Sequence, residues 1–429
     1  MTGVVRKFVP KALQHSLEQS YRCSRAFLVN ARYGFPARGL KVIGVTGTNG
    51  KTTTCNYINE VLKSGGKKTA MFTTALIELN GEAKPNELNR TVPLTAQLFE
   101  FFKEARKANV DWVVMEVTSH ALDQHKFDWV PVEIAVVTNL TQDHLDYHGT
   151  MERYAAAKAK LLKKRPRVAV LNRDDSWYDF FAHRSGGSLI YSFGTEENSF
   201  IHMENLESDM NGSRFSVIDH PTDPKSPRLH IHTSLLGKFN AYNAAASVAV
   251  GRAAGLSDEA ITKGVAALAF VPGRMERIEE GKSFTTIVDY AHAADALKEV
   301  LITVRELGAK KIRLVFGATG DRDTGKRPIM GKVAAEYADV IYLTDDEPYT
   351  EDPAKIRKEV LEGIESSGGT EKVKEYDDRR NAIKDAIKDA KAGDVVLVTG
   401  MGHEKFRIVG HEHTPWDERE IVRNILKRQ

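Results

Sequence analysis

The sequence predicts an α/β protein built from two parallel-sheet domains, and three observations carry that prediction. A β-branched run, K-V-I-G-V-T from Lys41, stops at a glycine-rich loop that opens a helix. From there strand-like runs alternate with helical ones, the pattern of a parallel sheet flanked by helices. After a turn-rich Phe270-Val271-Pro272-Gly273-Arg274, a second series of strand-like runs begins.

Taken in order, residues 1–38 form a polar extension whose Leu13, Leu17, Tyr21, Ser24, Leu28 and Ala31 fall at helical spacing before the break at Gly34-Phe35-Pro36. An amphipathic helix docked on the body is expected. Peripheral membrane contact through Lys11, Arg22, Arg25 and Arg32 is the alternative. A central domain over 39–272 carries strands at Thr69–Thr74, Trp112–Val117, Ile134–Asn139 and Val168–Asn172, and helices near Ala96–Ala108 and Met151–Lys164. Between Ser188 and Leu236, short strands separated by turn residues at Asp209–Ser213 and Pro221–Pro227 predict a β-rich insertion, followed by a helix at Ala241–Ala254. A C-terminal domain over 273–429 follows, with strands at Thr285–Asp289, Lys311–Phe316, Val340–Thr344 and Val395–Thr399.

With 429 residues the chain has ample length for two to three cores, roughly 150 residues each. A formal charge of +3 without a basic block gives no reason to expect a nucleic-acid partner. The two cysteines, Cys23 and Cys55, cannot build a disulfide framework or a four-cysteine zinc site, which points to a reducing compartment, by default the cytoplasm. The first residues, M-T-G-V-V-R-K-F-V-P, are too quickly interrupted for a signal peptide, and no stretch approaches the length of a membrane span.

The loop Gly47-Thr48-Asn49-Gly50-Lys51-Thr52-Thr53 reads as a phosphate cradle. Its backbone N–H groups and the following helix N-terminus face an anion, Lys51 reaches the β/γ-phosphates, and the Thr52 hydroxyl completes a Mg²⁺ shell. The general G-x-x-x-x-G-K-[ST] spacing is not met, because Val45 stands five residues before Gly50. Two further strands end in polar clusters, Glu116-Val117-Thr118-Ser119-His120 and Asn139 to Gly149, where an open α/β sheet binds its ligands. A glutamate at the end of an apolar strand is costly unless it is paired or holds a metal, which makes Glu116 a candidate Mg²⁺ ligand. His144 gains weight from its neighbours Asp143, Asp146 and His148.

The segments G-V-T-G-T-N-G-K-T-T, M-E-V-T-S-H-A-L, N-L-T-Q-D-H-L-D-Y-H-G-T, Y-A-A-A-K-A-K-L-L, G-K-F-N-A-Y-N, V-P-G-R-M-E, D-Y-A-H, G-D-R-D-T-G-K-R-P-I-M-G and G-M-G-H-E run in order from Lys41 to Glu404. In that order they resemble the MurE-type enzymes of the Mur ligase superfamily. The resemblance implies a P-loop ATPase domain followed by a Rossmann-like C-terminal domain, acting in peptidoglycan biosynthesis. It also implies a reaction in which ATP phosphorylates a muramoyl-peptide carboxylate and an amino acid attacks the acyl phosphate. By similarity, Lys51, Arg274 and Mg²⁺ gather the anions, and His292 joins the catalytic set. One Mg²⁺ would sit on Thr52 and Glu116, and a second on Glu116, His144 and a carbamylated Lys158. From residues alone, Lys158 is only a lysine on an expected helix. The resemblance further carries nucleotide contacts to Asn240, Asn243, Asp289, Tyr290 and His292. Acceptor contacts fall to Thr91, Thr118, Ser119 and His120, and amino-acid contacts to Arg322, Arg327, Glu404 and the segment Asp345 to Tyr349. A monomer is expected, with closure of the domains about Pro272.

Three departures from the resemblance bear on substrate. Only about 40 residues precede the loop, too few for the family's UDP-holding domain. The family's Thr-Thr-Pro reads Thr91-Val92-Pro93, and its D-D-N-P-R reads Asp345-Asp346-Glu347-Pro348-Tyr349. The last change replaces a cation by a tyrosine beside a new carboxylate, so lysine or ornithine is expected over diaminopimelate. Two other readings remain: a ligase of another branch, such as a folylpolyglutamate-synthase-like enzyme, and a nucleotide-binding scaffold without catalysis.

Overall fold

A computed structural model describes residues 11–86, 91–219 and 228–429, with the side chains of 11–17 and Asp146 outside the description. The expectations for Leu13, Leu17, the first ten residues and the turn at Pro221–Pro227 therefore lie outside the described residues. The chain forms two units, one of residues 1–207, 214–233 and 239–268, the other of 208–213, 234–238 and 269–429.

In the first unit, helix α1 (Lys11–Arg32) precedes strand β1 (Lys41–Thr46), and helix α2 (Lys51–Ser64) follows the loop. The strands are then β2 (Thr69–Phe72), β3 (Leu76–Leu79), β4 (Glu82–Pro85), β5 (Trp112–Glu116), β6 (Ile134–Val137), β7 (Val168–Asn172), β8 (Leu189–Gly194), β9 (Ile201–Asp209), β10 (Gly212–Asp219) and β11 (Arg228–Thr233). They make one sheet in the order β11-β10-β9-β8-β7-β6-β1-β5-β2-β3-β4. The β-rich stretch is present, and it extends the same sheet outward from β7. β1 pairs in parallel with β5 and β6, and all residues of β5 and β6 are buried, as a sheet covered on both faces requires. Each fully buried valine or isoleucine of these strands contributes about 1.5–3 kcal/mol.

Helix α1 forms where its spacing predicts, but on a different face. Tyr21 and Leu28 are 66% and 67% exposed, and Ser24 and Ala31 are also exposed. Ala26 and Asn30 are the buried residues, and Val29 and Tyr33 pack on the core. The small Ala26 lets the helix approach closely, and the packed stripe of Ala26, Val29, Asn30 and Tyr33 is rotated from the one the spacing selects.

The second unit begins with β12 (Glu276–Ile278) and β13 (Thr285–Asp289), then β14 (Ile312–Phe316), β15 (Val340–Leu343), β16 (Val373–Glu375) and β17 (Val395–Thr399). The order is β12-β13-β17-β14-β15-β16, antiparallel only at β12. Alternate residues feed two cores: Ile287, Leu314, Phe316, Ile341 and Leu397 enter one, while Val288, Val315, Tyr342, Val396 and Val398 enter the other. That alternation is what a sheet wound with helices on both faces produces. A hairpin of β18 (Phe406–Val409) and β19 (Glu412–Pro415) follows.

Candidate active site

The first unit gathers its polar groups at the C-terminal ends of β6, β1, β5 and β2. Gly47 sits at φ 151° with Thr138 Oγ1 1.8 Å from where a Cβ would lie, and Gly50 sits at φ 81° with Asn243 Oδ1 2.3 Å from its own Cβ position. Only glycine fits either place. Around them the loop is tied down by side chains from neighbouring strands. Asn49 N donates to Asn139 Oδ1 at 2.9 Å, Thr138 Oγ1 to Asn49 O at 2.7 Å, and Thr48 Oγ1 lies 3.3 Å from Tyr154 OH. Lys51 Nζ folds back on the carbonyls of Thr48 (2.7 Å) and Gly47 (3.2 Å). Thr53 is buried on α2.

Glu116, 2% exposed, receives Thr52 Oγ1 at 2.9 Å on Oε2. Thr74, which sequence reasoning passed over, adds its N–H at 2.8 Å and its hydroxyl at 3.0 Å to the same oxygen. Thr91 joins through Thr74, oxygen to oxygen at 2.9 Å. A carboxylate surrounded by hydroxyls at a phosphate loop is a set of hard oxygen donors, which fits Mg²⁺. Thr74 was findable, since Thr73-Thr74 directly follows a strand whose end faces the loop.

Lys158 is not a surface residue: it is 1% exposed, and its Nζ donates to Gly47 O at 2.6 Å. Burial first, and the charge of Lys51 second, hold its amine well below the ordinary lysine range. The amine also lies 4.3 Å from the ring centre of Tyr154, one turn away on the same helix. Tyr154 in turn meets the His144 ring at 6.2 Å. Among the described residues, His144 makes no hydrogen bond to Glu116 or Lys158. Its side chain is 48% exposed beside Asp143, and its backbone is left-handed at φ 51°.

His144 belongs to an aromatic cluster. The His120 ring lies 4.8 Å from His144, 4.2 Å from Tyr147 and 5.4 Å from His148. His148 is buried, bonds Ser119 Oγ at 3.0 Å, and is held down to about 4 by burial and by His120. Thr118 caps the helix Ser119–Asp123 by accepting from Ala121 N at 3.1 Å, so its hydroxyl has a local structural duty. Asn243 accepts from Thr54 Oγ1 at 3.1 Å and donates to Asn240 Oδ1 at 2.9 Å.

The second unit gathers its own set at the ends of β13, β14, β15 and β17. Asp289 accepts from Met275 N at 2.7 Å and Ala291 N at 2.8 Å, with burial raising its carboxyl. Arg274 lies 4.9 Å above the Tyr290 ring, and its Nε is buried with no partner among the described residues. Tyr290 OH donates to Glu404 at 3.3 Å, and Lys326 Nζ donates to the carbonyl of His292 at 3.1 Å.

Arg327 departs from the sequence expectation. Its side chain is 0% exposed, with Glu351 at 2.8 and 2.9 Å and Glu359 at 2.7 Å on its guanidinium. A guanidinium shared by two carboxylates has no charge left for a substrate, so Arg327 is a structural residue here. Arg322 remains exposed, 5.4 Å from the Tyr349 ring centre.

The segment Asp345 to Tyr349 is braced by the hairpin. Asp345 pairs with Arg357, and Arg407 Nε donates to Asp346 O at 2.5 Å. Glu347 accepts from Ile408 N at 3.1 Å, and Tyr349 OH lies 3.4 Å from its other oxygen. Burial first, then Asp346, raises the Glu347 carboxyl to about 7.

The Mur ligase middle domain matches residues 45–251, and the glutamate ligase domain of Mur ligases matches 273–402. The chain belongs to the Mur ligase family. Within it, a UDP-N-acetylmuramoyl-L-alanyl-D-glutamate–2,6-diaminopimelate ligase of Geobacillus kaustophilus is 40% identical over 416 residues, covering 95% of this chain and 83% of the relative. The enzyme of that name from Bacillus cereus is 38% identical, covering 94% and 81%. A solved structure of such a ligase is 33% identical at a TM-score of 0.66, over 91% of this chain and 78% of that one. Mycobacterium tuberculosis folylpolyglutamate synthase shares the fold at a TM-score of 0.69 and 21% identity, over 90% and 95%. Members of the Mur ligase family depend on ATP and Mg²⁺. No helix among the described residues is long and apolar enough to cross a membrane.

Proposed function

We propose that this chain is an ATP-dependent ligase that joins a diamino acid to the carboxylate of a muramoyl-dipeptide acceptor. The observation that carries the reading is the buried Glu116 bonded to Thr52 of the phosphate loop, an anion set among hydroxyl oxygens beside the phosphate cradle, which fits a Mg²⁺-bearing nucleotide. The central domain, 39–272, is the ATP-binding part, and 273–429 receives the amino acid.

Gly47 to Thr53 bind the phosphates through N–H groups, and Lys51 exchanges its loop carbonyls for phosphate oxygens. Asn240, Asn243, Asp289, Tyr290 and His292 hold the nucleoside, and the unpartnered Nε of Arg274 is a ready donor to its anion. Thr52 and Glu116 would hold one Mg²⁺, and Glu116, His144 and a carbamylated Lys158 a second; bound there, the ions neutralise the transferring phosphoryl group. A carboxylate is a poor electrophile, so the acceptor oxygen first takes the γ-phosphoryl group from ATP, releasing ADP. The amine then attacks the acyl carbon, and phosphate leaves with the former acceptor oxygen. Thr91, Ser119 and His120 line the acceptor side, and Glu404, Arg322 and the 345–349 segment the amino-acid side.

The relatives are named for 2,6-diaminopimelate. Here a half-buried carboxylate, Glu347, flanked by Asp346, favours a side chain that ends in a lone ammonium, so lysine or ornithine is the preferred partner. Substrate omission tests the whole reading: phosphate release should need ATP, UDP-N-acetylmuramoyl-L-alanyl-D-glutamate and a diamino acid together. Release that ignores the acceptor would overturn it.

A further inference from the structure

We propose that Cys23, His125 and Asp128 form a zinc site that pins helix α1 to the segment carrying His120 and Asp123. Each residue brings one ligand atom, and these atoms lie within 4.8 Å of one another, the single such trio among the described residues. Cys23 comes from α1, about 100 residues away from its partners, which follow the helix Ser119–Asp123. The convergence is set by packing outside the trio. Phe27 meets Trp129 edge-on at 5.0 Å and Phe35 at 5.9 Å, and Ala26 is buried beneath the helix.

The donor set selects the ion. A thiolate, an imidazole and a carboxylate suit Zn²⁺, whereas Mg²⁺ and Ca²⁺ take oxygen ligands. His125 Nδ1 and Asp128 Oδ2 now share a hydrogen bond of 2.5 Å, and His125 is held left-handed at φ 60°. Zinc would displace the shared proton and spread these atoms to about 3.3 Å, the edge of a tetrahedron with bonds of about 2.0 Å. With a Zn–S bond of about 2.3 Å the edges to sulfur would be about 3.5 Å, so the widest, now at most 4.8 Å, would close by no more than about 1.3 Å, within reach of side-chain rotation. Three protein ligands leave the fourth position to water.

Pinning α1 has a local consequence: Arg22 stands beside the Tyr147 hydroxyl, which donates to Asp123 at 3.0 Å within the histidine cluster.

The test uses the full chain stripped with chelator and titrated with Co²⁺, then Zn²⁺. One equivalent of Co²⁺ should raise a thiolate charge-transfer band in the near ultraviolet with tetrahedral visible bands, and Zn²⁺ should erase them. Cys23→Ser should lose the thiolate band, Cys55→Ser should keep it, and His125→Asn should weaken Zn²⁺ binding at least tenfold. Zn²⁺ should raise the melting temperature of wild type but not of Cys23→Ser. A wild-type protein with no thiolate band overturns the proposal, as does an equal Zn²⁺-dependent shift in Cys23→Ser. Neither readout depends on ligase activity.

Discussion

Lys158 shows why burial matters more than residue type. An ammonium cannot ligate a metal, but a buried amine kept below its usual range holds more of the neutral form that adds CO₂. Lys158→Ala should lower turnover at least about a hundredfold while nucleotide affinity stays within a few-fold, with partial return in formate or acetate. Unrescued wild-type turnover in the variant would remove Lys158 from the site. Glu116→Gln keeps volume and removes charge, so turnover should fall on the order of a hundredfold or more without loss of melting temperature. The reverse pattern, lower stability with intact turnover, would make Glu116 structural.

At Glu347 the pH dependence has a definite sign. Its folded carboxyl titrates near 7, so a cationic amino acid should bind less tightly as pH falls through 7, and KM for lysine should rise there. The folded state holds the proton more strongly than the unfolded chain, so this group favours folding below about pH 4.5 and loses that contribution as pH rises through 7. Glu347→Gln should flatten both trends, read by KM and by melting across pH 5–8. Tyr349→Arg with Glu347→Asn should shift kcat/KM toward diaminopimelate by about ten- to a hundredfold. A wild type that already prefers diaminopimelate would refute the charge argument.

The decisive element is the strand, loop and helix from Lys41 to Ser64. Its glycines are required by backbone and by neighbours, since Gly50 is left-handed and a Cβ there would meet Asn243. Gly50→Ala should cost about 1–3 kcal/mol and weaken ATP binding, measured by melting with and without nucleotide. This element was legible because apolar strand, glycine turn and helix are each encoded locally. Short edge pieces were not: β16 has three residues, and the β18–β19 hairpin has little apolar alternation to announce it. The partly buried glutamate Glu351 is equally silent in sequence, which is why Arg327 read as a substrate ligand when it is an ion-pair partner. Residue type marks a charge; only tertiary structure tells what already neutralises it. Thr74 failed for the opposite reason, a common residue made informative by its place beside Glu116.

At the scale of the whole molecule, each unit presents its functional side chains at strand C-termini, as open α/β sheets do. The second unit also carries a fully buried pair, Arg379 with Glu418 at 2.6 Å, which ties the helix after β16 to the last helix. Arg379→Met should destabilise by about 3–5 kcal/mol, because it strands a buried carboxylate. Ligation through an acyl phosphate is open to a direct isotope experiment. The muramoyl-dipeptide acceptor is labelled with ¹⁸O in the reacting carboxylate, and the products of turnover with ATP and lysine are weighed by mass spectrometry. One ¹⁸O is expected in inorganic phosphate with ADP as the nucleotide product, and both signals should accumulate on the order of a hundredfold more slowly with Glu116→Gln. Phosphate without the label, or the label in AMP, would contradict ligation through an acyl phosphate.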